Sequence, residues 1–278
     1  MRQLHFCLAG GDARQQYLAR LLQQDGHTVT TFALGKDSNA ATPEALRQGD
    51  CVLLPIPTAK NDILTAPFSA ESIPICNILS KLSEKQSIFG GNVARKWEST
   101  YHLTIHDLLL REELAIANAV PTAEGALQLA MERLPITIQN CRVLITGFGR
   151  VAQCTAQRFA ALGARVTVTA RSPAQLALAE AMSLATIPLA QLPQANDPWD
   201  LIINTVPAPI LTKSVLEKLG GCPILELASP PGGIEPAVAE RLAIPLISAP
   251  GLPGKVAPAT AADIIRRTVY GILAETGF

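Results

Sequence analysis

Residues 147–152 read Gly147-Phe148-Gly149-Arg150-Val151-Ala152, a G-x-G-x-x-A spacing directly behind the β-rich run Arg142–Thr146 and ahead of a helical pattern that reaches Ala161. In such a setting the first glycine permits the tight strand-to-helix turn, the second lets a pyrophosphate approach the backbone, and the small third residue lets helix and strand pack closely. Free N–H groups at the helix start then hold the anion. A bare match would be weak, with a purely structural turn as the alternative. Strand before, helix after and another strand from Arg165 make it specific, so Gly147, Phe148, Gly149, Arg150 and Val151 are the expected dinucleotide contacts.

The residues after the next strand select the nucleotide. An acidic side chain about 20 positions beyond the glycines would read the ribose 2′-hydroxyl of NAD. None stands there. The strand ends Val168-Thr169-Ala170-Arg171-Ser172-Pro173, offering a guanidinium and a hydroxyl where a 2′-phosphate would lie. A planar fork suits phosphate, so NADP is expected over NAD, with Arg171 and Ser172 as readers; a solvated arginine in a turn is the bland alternative.

Three further loops follow strand-like runs, at the ends where α/β sheets bind ligands. Asn204, Thr205, Val206 and Pro207 should border the nicotinamide ribose, with Asn204 or Thr205 bonding to it. Residues 226–233, Glu226-Leu227-Ala228-Ser229-Pro230-Pro231-Gly232-Gly233, combine stiff prolines with two glycines. Residues 249–258 form another Gly/Pro loop carrying one cation, Lys255. Near the start, Gly10-Gly11-Asp12-Ala13-Arg14-Gln15 lacks the dinucleotide spacing. There Arg14 and the helix-start N–H groups could hold a substrate carboxylate, or Asp12 could simply cap its own helix with Arg14 in solvent.

The elements that position these residues follow a βαβ rhythm. Strand-length apolar runs lie at 4–9, Thr28–Phe32, 51–55 and 88–89, with a helix over 14–24 closed by Gly26. From 101 to 134 the periodicity turns helical. Proline disfavours helix at the residue before it and suits a first turn, so two helices meeting at 118–121 are expected around Pro121. A second series places strands at Arg142–Thr146, Arg165–Ala170, 201–205, 224–227 and 245–248, and an amphipathic segment over 259–273 closes the sequence. The expected architecture is α/β with two Rossmann-like domains built on parallel sheets. Residues 1–118 form a flavodoxin- or Rossmann-like substrate domain and residues 119–278 the NADP-binding domain, the final helix (259–278) being a candidate to pack back on the first.

Composition removes other classes. Twenty-three Lys+Arg balance 23 Asp+Glu, and no basic run or stripe exists, which argues against a phosphate-backbone partner. Hydrophobic residues make up 48%, yet no apolar stretch approaches the roughly 20 residues a bilayer requires; the expectation is a soluble protein without a secretory signal, hence cytoplasmic. Six separated cysteines without a C-x-x-C pair read as buried free thiols rather than a metal set. All four histidines lie within the first 106 positions.

Taken in order, the stretches 10–15, 118–126 (Asn118-Ala119-Val120-Pro121-Thr122-Ala123-Glu124-Gly125-Ala126), 147–152 and 251–258 (Gly251-Leu252-Pro253-Gly254-Lys255-Val256-Ala257-Pro258) resemble the dipicolinate synthase A-subunit family, essentially end to end. Pro-Thr-Ala-Glu-Gly and Gly-Leu-Pro-Gly-Lys-Val-Ala-Pro are far more particular than the glycine turn. Glu226 departs from the aspartate expected of that family. The resemblance implies a two-domain arrangement like that of D-2-hydroxyacid dehydrogenases, and NADP-dependent oxidation of a dihydrodipicolinate-type intermediate of the lysine pathway to dipicolinate for bacterial spores. It also implies the flavoprotein-like B-subunit of dipicolinate synthase as partner. A homo-oligomer is expected as well. Arg14, Ser229 and Lys255 are the candidate contacts for a dicarboxylate, and Asp12, Glu124 and Lys255 the candidate bases. Two competing readings are a D-2-hydroxyacid dehydrogenase and a non-catalytic NADP-binding scaffold subunit. The former needs a late histidine acting as acid–base, and none follows His106.

Overall fold

In the computed structural model, which describes residues 2–195 and 198–277, the chain divides into two compact units, residues 1–118 with 257–278 and residues 119–256. Residues 1 and 278 of the expected domains lie outside the described residues. The first unit runs β1 (His5–Ala9), α1 (Ala13–Gln24), β2 (Thr28–Phe32), β3 (Cys51–Leu53), a hairpin of β4 (Ala59–Lys60) and β5 (Ile63–Leu64), α2 (Ile75–Leu79), β6 (Ser87–Gly90), α3 (Arg95–Tyr101) and β7 (Ile105–Asp107). Its five-stranded sheet is wholly parallel with order β2-β1-β3-β6-β7. Skipping the hairpin, this is the flavodoxin-like order 2-1-3-4-5. Both faces are covered, so the central strands read as continuous apolar runs: Phe6 and Leu8 face one core and Cys7 and Ala9 the other.

The next element, α4 (Glu112–Arg133), corrects the expected pair of helices, because it runs unbroken through Pro121. Proline removes one intrahelical bond and crowds the preceding turn. Here Pro121, Ala119, Ala123 and Ala126 are all buried, and their packing overrides the local preference. The unit boundary falls inside this helix, between Asn118 and Ala119. β7 is a second correction, since residues 105–107 were expected in the helical stretch but extend the sheet beside β6.

The second unit continues with β8 (Arg142–Thr146), α5 (Arg150–Ala161), β9 (Arg165–Ala170), α6 (Pro173–Ala181), β10 (Ala185–Pro188), β11 (Leu201–Asn204), α7 (Lys213–Leu216), β12 (Ile224–Glu226), α8 (Pro236–Arg241), β13 (Leu246–Ser248) and α9 (Leu252–Val256). The six strands are parallel in the order β10-β9-β8-β11-β12-β13, the doubly wound 3-2-1-4-5-6 order of dinucleotide-binding sheets. Strand order reverses between β8 and β11, and the crevice there is the place such sheets hold ligands.

The final helix, α10 (Pro258–Thr276), packs on the first unit, so the second ends at Val256 and not at 278. Ala261, Ala262, Ile264, Ile265, Thr268, Val269, Ile272 and Leu273 are its buried residues, at helical spacing. Arg266 locks it to the end of α1 through Asp25 (2.9 and 2.8 Å) and also bonds Asp263 (2.6 Å), while the Tyr270 hydroxyl donates to Asp25 (2.7 Å). No described helix is long and apolar enough to cross a membrane.

Candidate functional site

The turn from β8 to α5 stands at the reversal point of the second sheet. Gly147 has a left-handed φ of 81°. A Cβ there would come within 2.8 Å of Val206 Cγ2 and 2.9 Å of Thr205 Oγ1, so the loop after β11 closes directly on this turn. Gly149 is different. Its φ of −81° suits any residue, and a Cβ would meet no protein atom within 4 Å. Neither backbone strain nor packing demands glycine there; the open space over the helix start does, if an anion must reach the backbone. No side chain caps the first turn of α5, which leaves its N–H groups to face such an anion. Ala152 is fully buried, as close strand–helix packing requires. These features fit a dinucleotide pyrophosphate.

The Phe148 side chain is buried in the core, and its carbonyl accepts from Gln153 Nε2 (2.9 Å), so only its backbone serves the turn. Arg150 is exposed and Val151 half-buried. On the neighbouring strand β9, Arg171 follows the last residue, exposed and without an ion pair among the described residues. The side chain of Ser172, which precedes α6, makes no hydrogen bond to its first turn. Both side chains remain available at the carboxyl end of the strand.

Asn204 is not available. It is fully buried: Oδ1 accepts from the Thr146 hydroxyl and from Val206 N (3.2 Å), and Nδ2 donates to Val206 O (3.0 Å) and Glu226 Oε1 (2.6 Å). All four hydrogen-bonding positions of the amide are filled, which corrects its expected role as a ribose donor. The Thr205 hydroxyl donates to Thr146 O (2.6 Å) and keeps its acceptor capacity. Val206 is half-buried and Pro207 exposed.

Glu226 is the functional-looking group that sequence reasoning undervalued. Its buried carboxylate accepts three N–H bonds, from Asn204 Nδ2, Ala228 N (2.9 Å) and Gly233 N (2.9 Å). The available signal was positional: Thr146, Asn204 and Glu226 each end an apolar strand, and the three are register neighbours across β8, β11 and β12.

Ser229 is exposed on the loop after β12. Lys255 lies in the short helix α9, where an open loop was expected; Leu252 of that helix is buried against Gly125 while Lys255 points to solvent. Among the candidate bases, Glu124 pairs with Arg158 at 3.4 Å. In the first unit Asp12 caps α1 by accepting Arg14 N (3.0 Å), and its carboxylate binds the Arg14 fork (2.9 Å from Nε and from Nη2). Arg14 is therefore not solvated. Nη2 also donates to Ile56 O across the point where the first sheet reverses, between β1 and β3, leaving Nη1 as its free donor end.

The dipicolinate synthase A-subunit of Bacillus subtilis is 32% identical over 98% of this chain and 96% of its own length. The chain belongs to the dipicolinate synthase A-subunit family. Residues 5–109 match the N-terminal domain of that family, and residues 134–230 match a family described as putative NAD(P)-binding. The crystal structure of the dipicolinate synthase A-subunit from Bacillus halodurans superposes with a TM-score of 0.87 at 30% identity, covering 97% of each chain. The apo structure of D-lactate dehydrogenase from Escherichia coli, 13% identical, has a TM-score of 0.62 with 98% of this chain and 97% of that one covered, a likeness of fold alone. This chain thus carries a region that matches a putative NAD(P)-binding family behind its match to the family's N-terminal domain.

Proposed function

We propose that this chain is the NADP-dependent oxidoreductase subunit that converts a dihydrodipicolinate-type intermediate to dipicolinate (pyridine-2,6-dicarboxylate), for spore formation, together with the flavoprotein-like B-subunit of the synthase. The observation that carries the reading is the turn at 147–152, with its open approach above Gly149 and uncapped helix start. Its placement at the sheet reversal and the family membership support it. Arg171 and Ser172 favour NADP, because a free guanidinium and hydroxyl end β9 where an NAD site would carry a carboxylate.

Aromatising a dihydropyridine dicarboxylate removes one hydride from a ring carbon and one proton, the two electrons leaving with the hydride. Hydride acceptance is the chemistry the nicotinamide supplies when bound. The chain's own residues have to orient two carboxylates and match their charge. Arg14 through Nη1, Ser229 and Lys255 are the proposed contacts. Asp12 and Glu124 are both ion-paired, and an ammonium donates without accepting, so Lys255 serves as a carboxylate contact and the ring proton passes to water. Little acid–base power is required, since the product's aromaticity drives the step.

Calorimetry with NADP and NAD, followed by NADPH absorbance on mixing chain, NADP and freshly generated substrate with and without the partner subunit, tests this. Heat with NADP and NADPH formation by the chain are expected. No heat with either nucleotide would remove the redox reading, and binding without turnover in either mixture would leave a scaffolding role.

A further inference from the structure

The strongest unassigned feature of the second unit is the buried polar row that closes its sheet. Thr146, Asn204 and Glu226 are in register on adjacent parallel strands, so their side chains stand on one face. They form a directed chain: the Thr146 hydroxyl donates to Asn204 Oδ1, and Asn204 Nδ2 donates to Glu226 Oε1 at 2.6 Å. Only an acceptor at position 226 fits, because three N–H groups converge there and an ionised carboxylate accepts without donating. The row reaches into both following loops. Asn204 holds Val206 through its N–H and its carbonyl; Glu226 holds Ala228 N with Oε1 and Gly233 N with Oε2. The second loop passes so close over the first that a Cβ at Gly233 would overlap the Asn204 amide.

The geometry points to Glu226 as a positioning residue that fixes the loops at 205–209 and 227–233 as one body, and with them the seat of the nicotinamide half of the dinucleotide. This rests on the dinucleotide reading above. In a doubly wound sheet the turn after β8 takes the pyrophosphate, and the loops after the strands beyond the reversal border the other half of the ligand. The carboxylate touches neither half; it acts through Asn204, Ala228 and Gly233. A purely structural carboxylate would damage binding of both halves together, whereas a positioning one separates them.

Glu226→Gln keeps the shape but turns an NH2 toward at least one of the converging N–H groups. The test is calorimetry of wild type and variant with NADP and with 2′-phospho-ADP-ribose, which lacks the nicotinamide, alongside the emission spectrum of bound NADPH. The variant is expected to bind 2′-phospho-ADP-ribose within about twofold of wild type and NADP about tenfold more weakly, as loss of one charge-assisted bond implies, with NADPH emission moving toward that of the free nucleotide. Equal binding of NADP by both proteins would overturn the proposal, as would parallel weakening of both ligands. Wild-type chain that binds neither ligand would refute the dinucleotide reading itself, a distinguishable result. Should Glu226→Gln fail to fold, Asn204→Ala cuts the link from Glu226 to Val206 while leaving the carboxylate on Ala228 and Gly233; the same split between the two ligands is expected, and its absence overturns the proposal.

Discussion

Two glycines two residues apart should fail in opposite ways when each receives a methyl group. At Gly147 the φ of 81° places an L-residue in the left-handed region, at about 1–2 kcal/mol. The new Cβ would also press on Val206 and Thr205 at 2.8 and 2.9 Å, adding about 1–3 kcal/mol of overpacking. At about 2–4 °C per kcal/mol, Gly147→Ala should lower Tm by roughly 4–20 °C. Gly149→Ala meets no atom within 4 Å and needs no unusual φ, so its cost is that of a poorer helix cap, under about 1 kcal/mol. The same methyl occupies the space through which a pyrophosphate would reach the first N–H groups of α5. Losing two charge-assisted hydrogen bonds, at about 1.5 kcal/mol each as a lower figure, weakens NADP by about 100-fold or more. Thermal melts and NADP calorimetry on both variants provide the assay. A Gly149→Ala protein that binds NADP like wild type, or that melts as early as Gly147→Ala, would show that the second glycine serves the fold and not a ligand.

Three other outcomes follow from particular contacts. Arg171→Asp should lower the preference for NADP over NAD by about 10- to 100-fold, the worth of a charge-assisted phosphate contact, and an unchanged ratio of affinities would assign that phosphate elsewhere. Burial holds His27 below the ordinary histidine pKa, and its Nδ1 accepts Leu4 N at 3.2 Å only while unprotonated. Unfolded chain then binds the proton first, so this contribution is full above about pH 6.5 and falls as pH drops from there toward the folded pKa; the stability difference between wild type and His27→Gln should shrink or reverse across that window, and a difference independent of pH would disprove the link. Arg266→Ala breaks the tie from α10 to Asp25 at the end of α1, which should cost about 1–3 kcal/mol, read as an earlier denaturation midpoint at unchanged slope.

Much of the scaffold was visible in local pattern. Thr28–Phe32, Arg142–Thr146 and Arg165–Ala170 were delimited to the residue, because β-branched runs bounded by turn residues leave little alternative. Short or polar strands were not. Ile105–Asp107 carries His106 and Asp107 and runs into a helical pattern, and Ala185–Pro188 has four residues ending in proline; each is a strand only because a longer neighbour supplies its hydrogen bonds. Pro121 misled in the other direction, since α4 runs unbroken where Ala119, Pro121, Ala123 and Ala126 are buried.

By itself the sequence determined the glycine turn, the basic end of β9 and the absence of a histidine after His106, all of which depend on residue type and near-neighbour spacing. Tertiary structure alone decided which polar groups were already engaged. Asn204 looked free for a ribose until Thr146, 58 positions away, and Glu226, 22 positions away, filled its amide, and Arg14, read as either a carboxylate contact or a solvated side chain, has most of its fork engaged by Asp12 and Ile56. Backbone sterics act over a few residues and can be read in a line of letters, whereas a buried hydrogen bond needs two groups within about 3 Å, a meeting that only the folded sheet arranges.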